Sequence, residues 1–553
     1  MLHTSGFKNG PLRLLLSSLL PGLLLFSACS YAAERPVRTI PRNSVIEFEL
    51  SCDKPFENPF LEVQAAAVFT GPDGSPVVRV DGFYDGGALW KFRFVPRVEG
   101  TWQVSLSLMN QGRAVAESRE WFRCQGQAGK GFLERSPANP YRLQYGDGTP
   151  FYAVGIQPCG AAEEGLDGPP AGHGQWRSVP MDTFLQAFQG AANLFRIQLG
   201  QGTRAGCARE VMTRELGPYR YNLEACQLLD RTYSLLGQYG FSTILILFQD
   251  MSLWQTDNTL FGTNKDLEGW KNIHNEQAVA PVKHYLRYAI ARWAAYTDIW
   301  ELFNEDSYTP DEWLENIAAY VRGLDPYQHL LTTNYERPRA AWPDVVTAHM
   351  YMSIPAWETE GQLTREFARL KSFGKPVMFT EFGNKGWLSN RDPDKWRIAV
   401  WTAFMNESSM LFWSMSGIQT VPDTLRRGGN ANAYLGPEDR QYFRNFAAFA
   451  QDLPADLRPA MVGYGGGIDP LNRYALSNGR LSVLYLQHRT GHDSAVAVDI
   501  FLWSGPGEFE VRWFDPRSGE WSGPERRATE GEVLRLRSPE VSQDMAAKIV
   551  KVD

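Results

Sequence analysis

The sequence predicts an eight-stranded (β/α)8 barrel set between two antiparallel β-domains, and three observations predict it. From about residue 126 to 454, short and nearly continuous apolar runs alternate with longer amphipathic stretches, the pattern of parallel strands buried on both faces. These runs number eight, the count a closed (β/α)8 barrel needs. Before and after this region the texture changes to short strands separated by polar turns. A doubly wound sheet is the rival for the middle region, but no glycine fingerprint supports it.

In chain order, the first element is a leader. Lys8 and Arg13 precede an apolar stretch from Leu14 to Phe26, and small residues follow up to Cys29. A charged start, a short apolar run and a small-residue cleavage region read as a secretory signal over residues 1–33, so export is expected. The run is too short and too broken to span a bilayer. Phe26-Ser27-Ala28-Cys29 resembles a bacterial lipobox, although Phe stands where Leu is usual. Lipidation at Cys29 and ordinary cleavage near Ala32 or Ala33 both stay open, so the expected location is periplasmic, outer-membrane-anchored or secreted.

Residues 34–125 are expected to form a β-sandwich. Val45–Leu50, Glu62–Phe69, Trp90–Val95, Thr101–Leu108 and Glu120–Cys124 are its strand candidates, with Gly71-Pro72-Asp73-Gly74 as a turn. Gly126 to Gly131 is a glycine-rich linker. The barrel is placed at 126–454. Its strand candidates are Phe151–Ile156, Leu194–Leu199, Thr243–Phe248, Ile299–Phe303, Leu330–Asn334, Val345–Met350, Val377–Phe382 and Met410–Ser414. Helical stretches are expected to separate most of them, such as Leu223–Tyr239, Ala278–Tyr296, Asp311–Leu324, Gly361–Phe373 and Asp394–Asn406. From about 455 to 553 strands return as a small C-terminal β-domain, at Arg480–Gln487, Ala495–Leu502, Phe509–Phe514 and Val533–Leu536.

Composition narrows the function classes. The 553-residue chain carries a net charge of −7 and has no Lys/Arg cluster beyond its first few residues. That speaks against nucleic-acid and polybasic membrane partners, both of which need concentrated positive charge. The aromatic share is 13%, with 18 Trp; most of this is core, though flat rings are also what sugars stack on. Export permits disulfides. Cys52 and Cys124 fall in the first and last strands of the sandwich, so a bridge between them is expected. No cysteine has zinc-ligand spacing, and no cofactor or metal is implied.

In a barrel, chemistry sits at the C-terminal ends of the strands. The polar residues that end these runs are Arg196, Asn304 with Glu305, His349 with Tyr351, Glu381 and Trp413. A lone Glu is by default a surface carboxylate. Two that each end a buried apolar run, in the fourth and seventh strands, face each other across one barrel mouth. Glycoside hydrolysis needs such a pair: one carboxylic acid protonates the leaving oxygen and the other carboxylate attacks the anomeric carbon or activates water. The bland alternatives are a buried ion pair for Arg196, a satisfied core histidine for His349 and a barrel plug for Trp413. Asp306 reads as a solvated helix start.

These residues, in this order, resemble the glycoside hydrolases of clan A, especially the cellulase- and mannanase-like family 5. The resemblance implies that Glu305 is the acid/base and Glu381 the nucleophile of a retaining β-glycosidase. It also implies that Asn304 binds the 2-hydroxyl, Tyr351 orients Glu381, Arg196 pairs with Glu381 and Trp413 floors the subsite. The third strand departs from the pattern: it ends in Phe248-Gln249-Asp250 where several members carry His, which makes Asp250 a further candidate contact. Gly82-Phe83-Tyr84-Asp85-Gly86 and Glu99-Gly100-Thr101-Trp102 are similar to an uncharacterised sandwich domain found ahead of such barrels. The expected partner is an oligo- or polysaccharide. Of Trp254, Trp270, Trp357 and Trp387, at least two are expected to line its cleft. Two rival functions use the same scaffold: a catalytically silent glycan-binding or exopolysaccharide-assembly protein, and a transglycosylase.

Overall fold

The computed structural model describes residues 38–158, 162–163, 179–201, 208–213, 215–248, 269–384, 392–414, 433, 435–466, 469–490 and 494–552. The leader with Cys29, and Cys159, Cys207, Asp250, Trp254 and Trp387, lie outside the described residues.

Eight parallel strands form the centre: β1 (Val154–Pro158), β2 (Leu194–Gln201), β3 (Ser242–Phe248), β4 (Ile299–Phe303), β5 (Leu330–Thr332), β6 (Val346–Tyr351), β7 (Val377–Gly383) and β8 (Ser409–Ser414). They are ordered β5-β4-β3-β2-β1-β8-β7-β6, the sequence of a ring opened between β5 and β6. Side chains close that seam: Thr332 Oγ1 donates to the Val345 carbonyl at 2.8 Å, and Thr347 Oγ1 to that of Thr333 at 2.9 Å. The expected first strand Phe151–Ile156 divides in two. Phe151 belongs to a small antiparallel sheet made by Leu133–Arg135, Leu143–Tyr145 and Pro150–Phe151, and only the part from Val154 onward enters the barrel.

That small sheet plugs the N-terminal end of the barrel. Leu133, Leu143 and Phe151 pack there against Leu194, Ile244, Ile299, Leu330, Met378 and Leu411, so the barrel floor is apolar. Above it the inward positions turn polar, at Gln157, Arg196, Glu301, Thr332 and Thr347, all buried. The sequence thus grades the interior from a floor that stabilises the fold to a mouth able to do chemistry.

Among the described residues, seven helices of eight residues or more pack on the outside: α1 (Met181–Phe188), α2 (Leu223–Gln238), α3 (Glu276–Trp293), α4 (Asp311–Leu324), α5 (Ala356–Lys371), α6 (Pro393–Met405) and α7 (Pro437–Ala450). Asn222, Asn275 and Asp392 cap α2, α3 and α6, each side chain accepting from a backbone N–H three residues on. No helix among the described residues is long and apolar enough to cross a membrane.

Antiparallel sheets flank the barrel. On the N-terminal side, a five-stranded sheet (Arg38–Arg42, Val63–Thr70, Val78–Asp81, Gly100–Asn110, Arg113–Gln127) faces a three-stranded one (Ile46–Ser51, Phe83–Gly86, Leu89–Phe94) around Phe48, Phe69, Trp90, Phe94, Trp102 and Phe122. The expected Cys52–Cys124 bridge is not made: both are free, buried thiols. Cys52 Sγ lies 3.9 Å from the Val115 carbonyl, near one end of Arg113–Gln127, whereas Cys124 lies nine residues further along that strand, about 30 Å away. A disulfide needs Cα atoms within about 7 Å. On the C-terminal side, six- and three-stranded sheets enclose Leu484, Leu486, Ile500, Leu502, Val511, Trp513 and Leu534.

Both flanks are fastened to the barrel. Asp230 of α2 receives Arg93 from the sandwich and Arg292 of α3, each at 2.7 Å, and both guanidinium groups also lie over the Phe83 ring. On the other side, Arg397 of α6 pairs with Asp544 at 2.9 Å, and Trp401 stacks on Tyr485.

Candidate active site

The mouth of the barrel gathers all seven residues the sequence singled out. β4 delivers two of them, Asn304 and Glu305, to one place. Ile299 packs in the floor and Glu301, two positions on, points into the polar interior. Asn304 and Glu305 follow at the rim. Glu305 has φ 52, a left-handed backbone conformation that costs a non-glycine residue on the order of 1 kcal/mol and that turns the chain sharply. The turn is held by Asp306. Expected to be a solvated helix start, Asp306 is instead buried: it pairs with Lys271 at 2.9 Å, accepts from the Thr309 N–H, and its own N–H donates to the Asn334 carbonyl.

β6 and β7 supply the opposite wall. Their pairing shifts register between Ala348 and His349, and that of β7 with β8 shifts between Phe379 and Phe382. Both irregularities occur where the strands carry His349 and Glu381. A bulge re-aims the side chains beside it; here Phe379 and Phe382 pack outward among Phe367, Trp396 and Phe412, while Glu381 turns to the mouth.

Arg196 of β2 organises the floor of the site. Its Nη1 donates to Glu381 Oε1 at 2.7 Å and also to Gln157 Oε1, and its Nη2 donates to Asn304 Oδ1 at 2.7 Å. Glu301 accepts from Nε at 2.8 Å and from Nη2 at 2.6 Å. Burial works against the Arg196 charge, but Glu301 and Glu381 outweigh it and hold the guanidinium above its ordinary pKa. Because Asn304 Oδ1 is taken by Arg196, its amide NH2 is the end left to face the mouth.

Tyr351 donates its hydroxyl to Glu381 Oε2, and burial together with the Glu381 charge holds its phenol far above the usual range. His349 Nδ1 shares a 2.7 Å hydrogen bond with Glu305 Oε1 and lies 3.5 Å from Glu381 Oε2. Burial pushes the His349 pKa down to about 4, so its ring is neutral near pH 7. Burial pushes the Glu305 carboxyl up, against a smaller downward pull from Arg196. One oxygen of Glu305, one of Glu381 and a ring nitrogen of His349 all lie within 4.8 Å of one another. The same three atoms could hold a cation, but the Arg196 guanidinium bonded to Glu381 opposes a dication there. The half-buried Trp413 ring meets Tyr351 edge to face at 6.1 Å, completing one side of the mouth.

Two members of the cluster escaped the sequence reading, Gln157 and Glu301. Glu301 stood as a polar side chain inside the apolar run Ile299-Trp-Glu-Leu-Phe303, and Gln157 as the polar residue directly after the run Phe151–Ile156. Of the tryptophans expected to line a cleft, Trp270 does not: it is buried against Phe248, Phe303 and Trp313. Trp357 is half-buried at the start of α5.

The comparisons bear on both parts of the chain. The domain family DUF5060, a domain of unknown function, matches residues 39–109. No curated protein matches by sequence. Among solved structures, a protein of Bacteroides vulgatus ATCC 8482 described as a glycoside hydrolase is similar with a TM-score of 0.68 at 16% identity, covering 93% of this chain and 100% of that one. A family 5 glycoside hydrolase of the same organism has a TM-score of 0.54 at 13% identity, over 76% of this chain and 93% of its own. Another glycoside hydrolase gives 0.51 at 14% identity, over 76% and 97%. The chain shares the fold of these glycoside hydrolases, an eight-stranded parallel barrel with antiparallel sheets before and after it.

Proposed function

We propose that this protein hydrolyses a β-linked glycan with retention of anomeric configuration, Glu381 acting as nucleophile and Glu305 as acid/base. The observation that carries the reading is the approach of one Glu305 oxygen to within 4.8 Å of one Glu381 oxygen across the barrel mouth. Retaining pairs stand about 5–5.5 Å apart, whereas inverting pairs need about 6.5–9.5 Å to admit a water. The surroundings of the two carboxyl groups support these roles. Glu305 sits where burial favours the protonated form, as a general acid requires, and Glu381 is ion-paired to Arg196.

In the first step a Glu381 oxygen forms an ester bond to the anomeric carbon as the glycosidic C–O bond breaks. Glu305 passes its proton to the departing oxygen. Tyr351 and Arg196 steady the attacking carboxylate, and the NH2 of Asn304 is placed to donate to a sugar hydroxyl. In the second step Glu305 takes a proton from water, the water oxygen attacks the anomeric carbon, and the ester breaks. His349, neutral near pH 7, meets either protonation state of Glu305 through its two tautomers: with the proton on Nδ1 it donates to the carboxylate, and with the proton on Nε2 its bare Nδ1 accepts from the carboxyl O–H.

The test is release of reducing ends from a panel of β-glucans, mannans, galactans and bacterial exopolysaccharides. Glu305→Ala and Glu381→Ala should stay folded and each lose at least about a thousandfold in kcat/KM on the substrate found. Full activity in either variant removes the role assigned to that residue. Binding without turnover by the wild type marks a silent glycan-binding protein, and longer products in place of hydrolysis mark a transglycosylase.

The Lys8–Cys29 segment supports export as part of the same proposal. The N-terminal residue of the mature protein, read by mass spectrometry, separates a lipidated Cys29 from cleavage near Ala32. Domain boundaries near 125 and 454 are likewise proposed, with limited proteolysis as their test.

A further inference from the structure

Glu301 lies below the site, four residues before Glu305, and has no place in the two chemical steps. Its side chain is wholly buried inside the barrel and faces Arg196, also wholly buried. A guanidinium carries five N–H donors in a planar fork. Here all five are engaged: Nε and one Nη2 hydrogen on Glu301, the other Nη2 hydrogen on Asn304, and the two of Nη1 on Gln157 and Glu381. With Glu301 gripping one edge of the fork through both its oxygens, the plane of Arg196 has a single orientation. The remaining donors then land on Asn304 and Glu381, the two groups nearest the reacting sugar.

Charge adds a second effect. Arg196 stands close enough to Glu305 to oppose the influence of burial on it. Among the described residues, the charged and titratable groups that reach Glu305 are Arg196 from β2 and His349 and Tyr351 from β6; Glu381 from β7 meets the same His349, and Glu301 acts on Glu305 through Arg196. Two carboxylates against one guanidinium leave this cluster net negative when both are ionised, which favours a transition state with a positively charged sugar ring. Without Glu301, Arg196 and Glu381 would cancel.

We propose that Glu301 is a positioning residue for both catalytic carboxylates: it fixes the plane of Arg196, and with it Glu381 and Asn304, and it offsets the guanidinium charge that Glu305 would otherwise meet. The proposal rests on the glycosidase reading above. It differs from a merely structural role in what it does to the pH profile. Removing the Glu301 charge leaves Arg196 uncompensated, which favours ionised Glu305, so the acid loses its proton at lower pH.

The test compares Glu301→Gln, which keeps volume and removes charge, with Glu301→Asp, which keeps charge and shortens reach, on the substrate the wild type turns over. Glu301→Gln should lose about a hundredfold in kcat with little change in KM. The basic limb of its kcat/KM profile should move to lower pH, while Glu301→Asp loses kcat and keeps the wild-type limb. A folded Glu301→Gln with wild-type kcat and limb overturns the proposal, as does an equal shift of the limb in both variants. If neither variant folds, Glu301 is a structural anchor and the proposal fails. A crystal structure of Glu301→Gln gives a readout independent of turnover: Arg196 should turn away from Glu381, and an unmoved guanidinium contradicts the proposal. Lack of turnover by the wild type counts against the glycosidase reading alone, because that last comparison still decides this one.

Discussion

At the scale of single residues, the site is a set of side chains whose ionisation is arranged by burial. His349 is the clearest case. Its pKa in the folded protein is about 4, below the ordinary value of 6.5, so the unfolded chain binds a proton more readily. Stability from keeping this ring neutral is fully present above about pH 6.5 and is lost as pH falls from there toward 4. We therefore expect the wild type to lose up to about 3 kcal/mol more than His349→Gln between pH 7.5 and pH 4. Urea denaturation of both proteins at the two pH values checks this; equal losses would mean His349 is not buried as a neutral ring. The seven rim residues were legible in sequence because strand ends in a barrel must be polar to be useful. Glu301 and Gln157 were harder to read. A strand with both faces covered shows no alternation, so nothing in the run says which polar residue faces inward.

At the scale of elements, the barrel depends on close fitting between neighbouring strands. Gly155 of β1 sits against Leu411 of β8, where an added Cβ would lie 2.1 Å from Leu411 Cγ. Gly155→Ala should destabilise by about 1–3 kcal/mol through overpacking. Combined with Leu411→Ala, it should cost at least about 1 kcal/mol less than the two single changes added together, as a double-mutant cycle by urea denaturation would measure. Strict additivity would show that the clash is absorbed elsewhere. Seven of the eight barrel strands were readable as continuous apolar runs. The first was misread because Phe151 and Ile156 belong to one apolar run but to different sheets. Among the described residues, two helices of eight residues or more were not singled out from the sequence, for separate reasons. α1 is only eight residues long, and α7 buries Asp439, Arg440 and Asn445, which blurs its apolar face. The C-terminal strand Asp544–Val552 was also missed; it lies inside its sheet, paired on both edges, and its buried positions do not alternate.

At the scale of the whole molecule, the flanking β-domains are bolted to the barrel by buried charge. Asp230 holds two guanidinium groups, Arg93 and Arg292, that are themselves almost wholly buried. Asp230→Ala would leave both without this partner and should cost about 3–5 kcal/mol. It should also separate the melting of the sandwich from that of the barrel in calorimetry; a single unchanged transition would show that apolar contacts alone join them. The sequence could not reveal this joint. Arg93, Asp230 and Arg292 are far apart in the chain and look like ordinary surface charges until the fold brings them together. The failed Cys52–Cys124 pairing has the same origin, since proximity in a sandwich depends on register along a long strand.

The central claim is that two carboxylates, close together across one barrel mouth, act in turn on a single anomeric carbon. The most direct test is the configuration of the first-formed product, followed by proton NMR during hydrolysis of the β-linked substrate. The account predicts that the β-anomer appears first and then mutarotates. An α-anomer formed first would mean inversion, and would contradict both the double displacement and the nucleophilic role of Glu381.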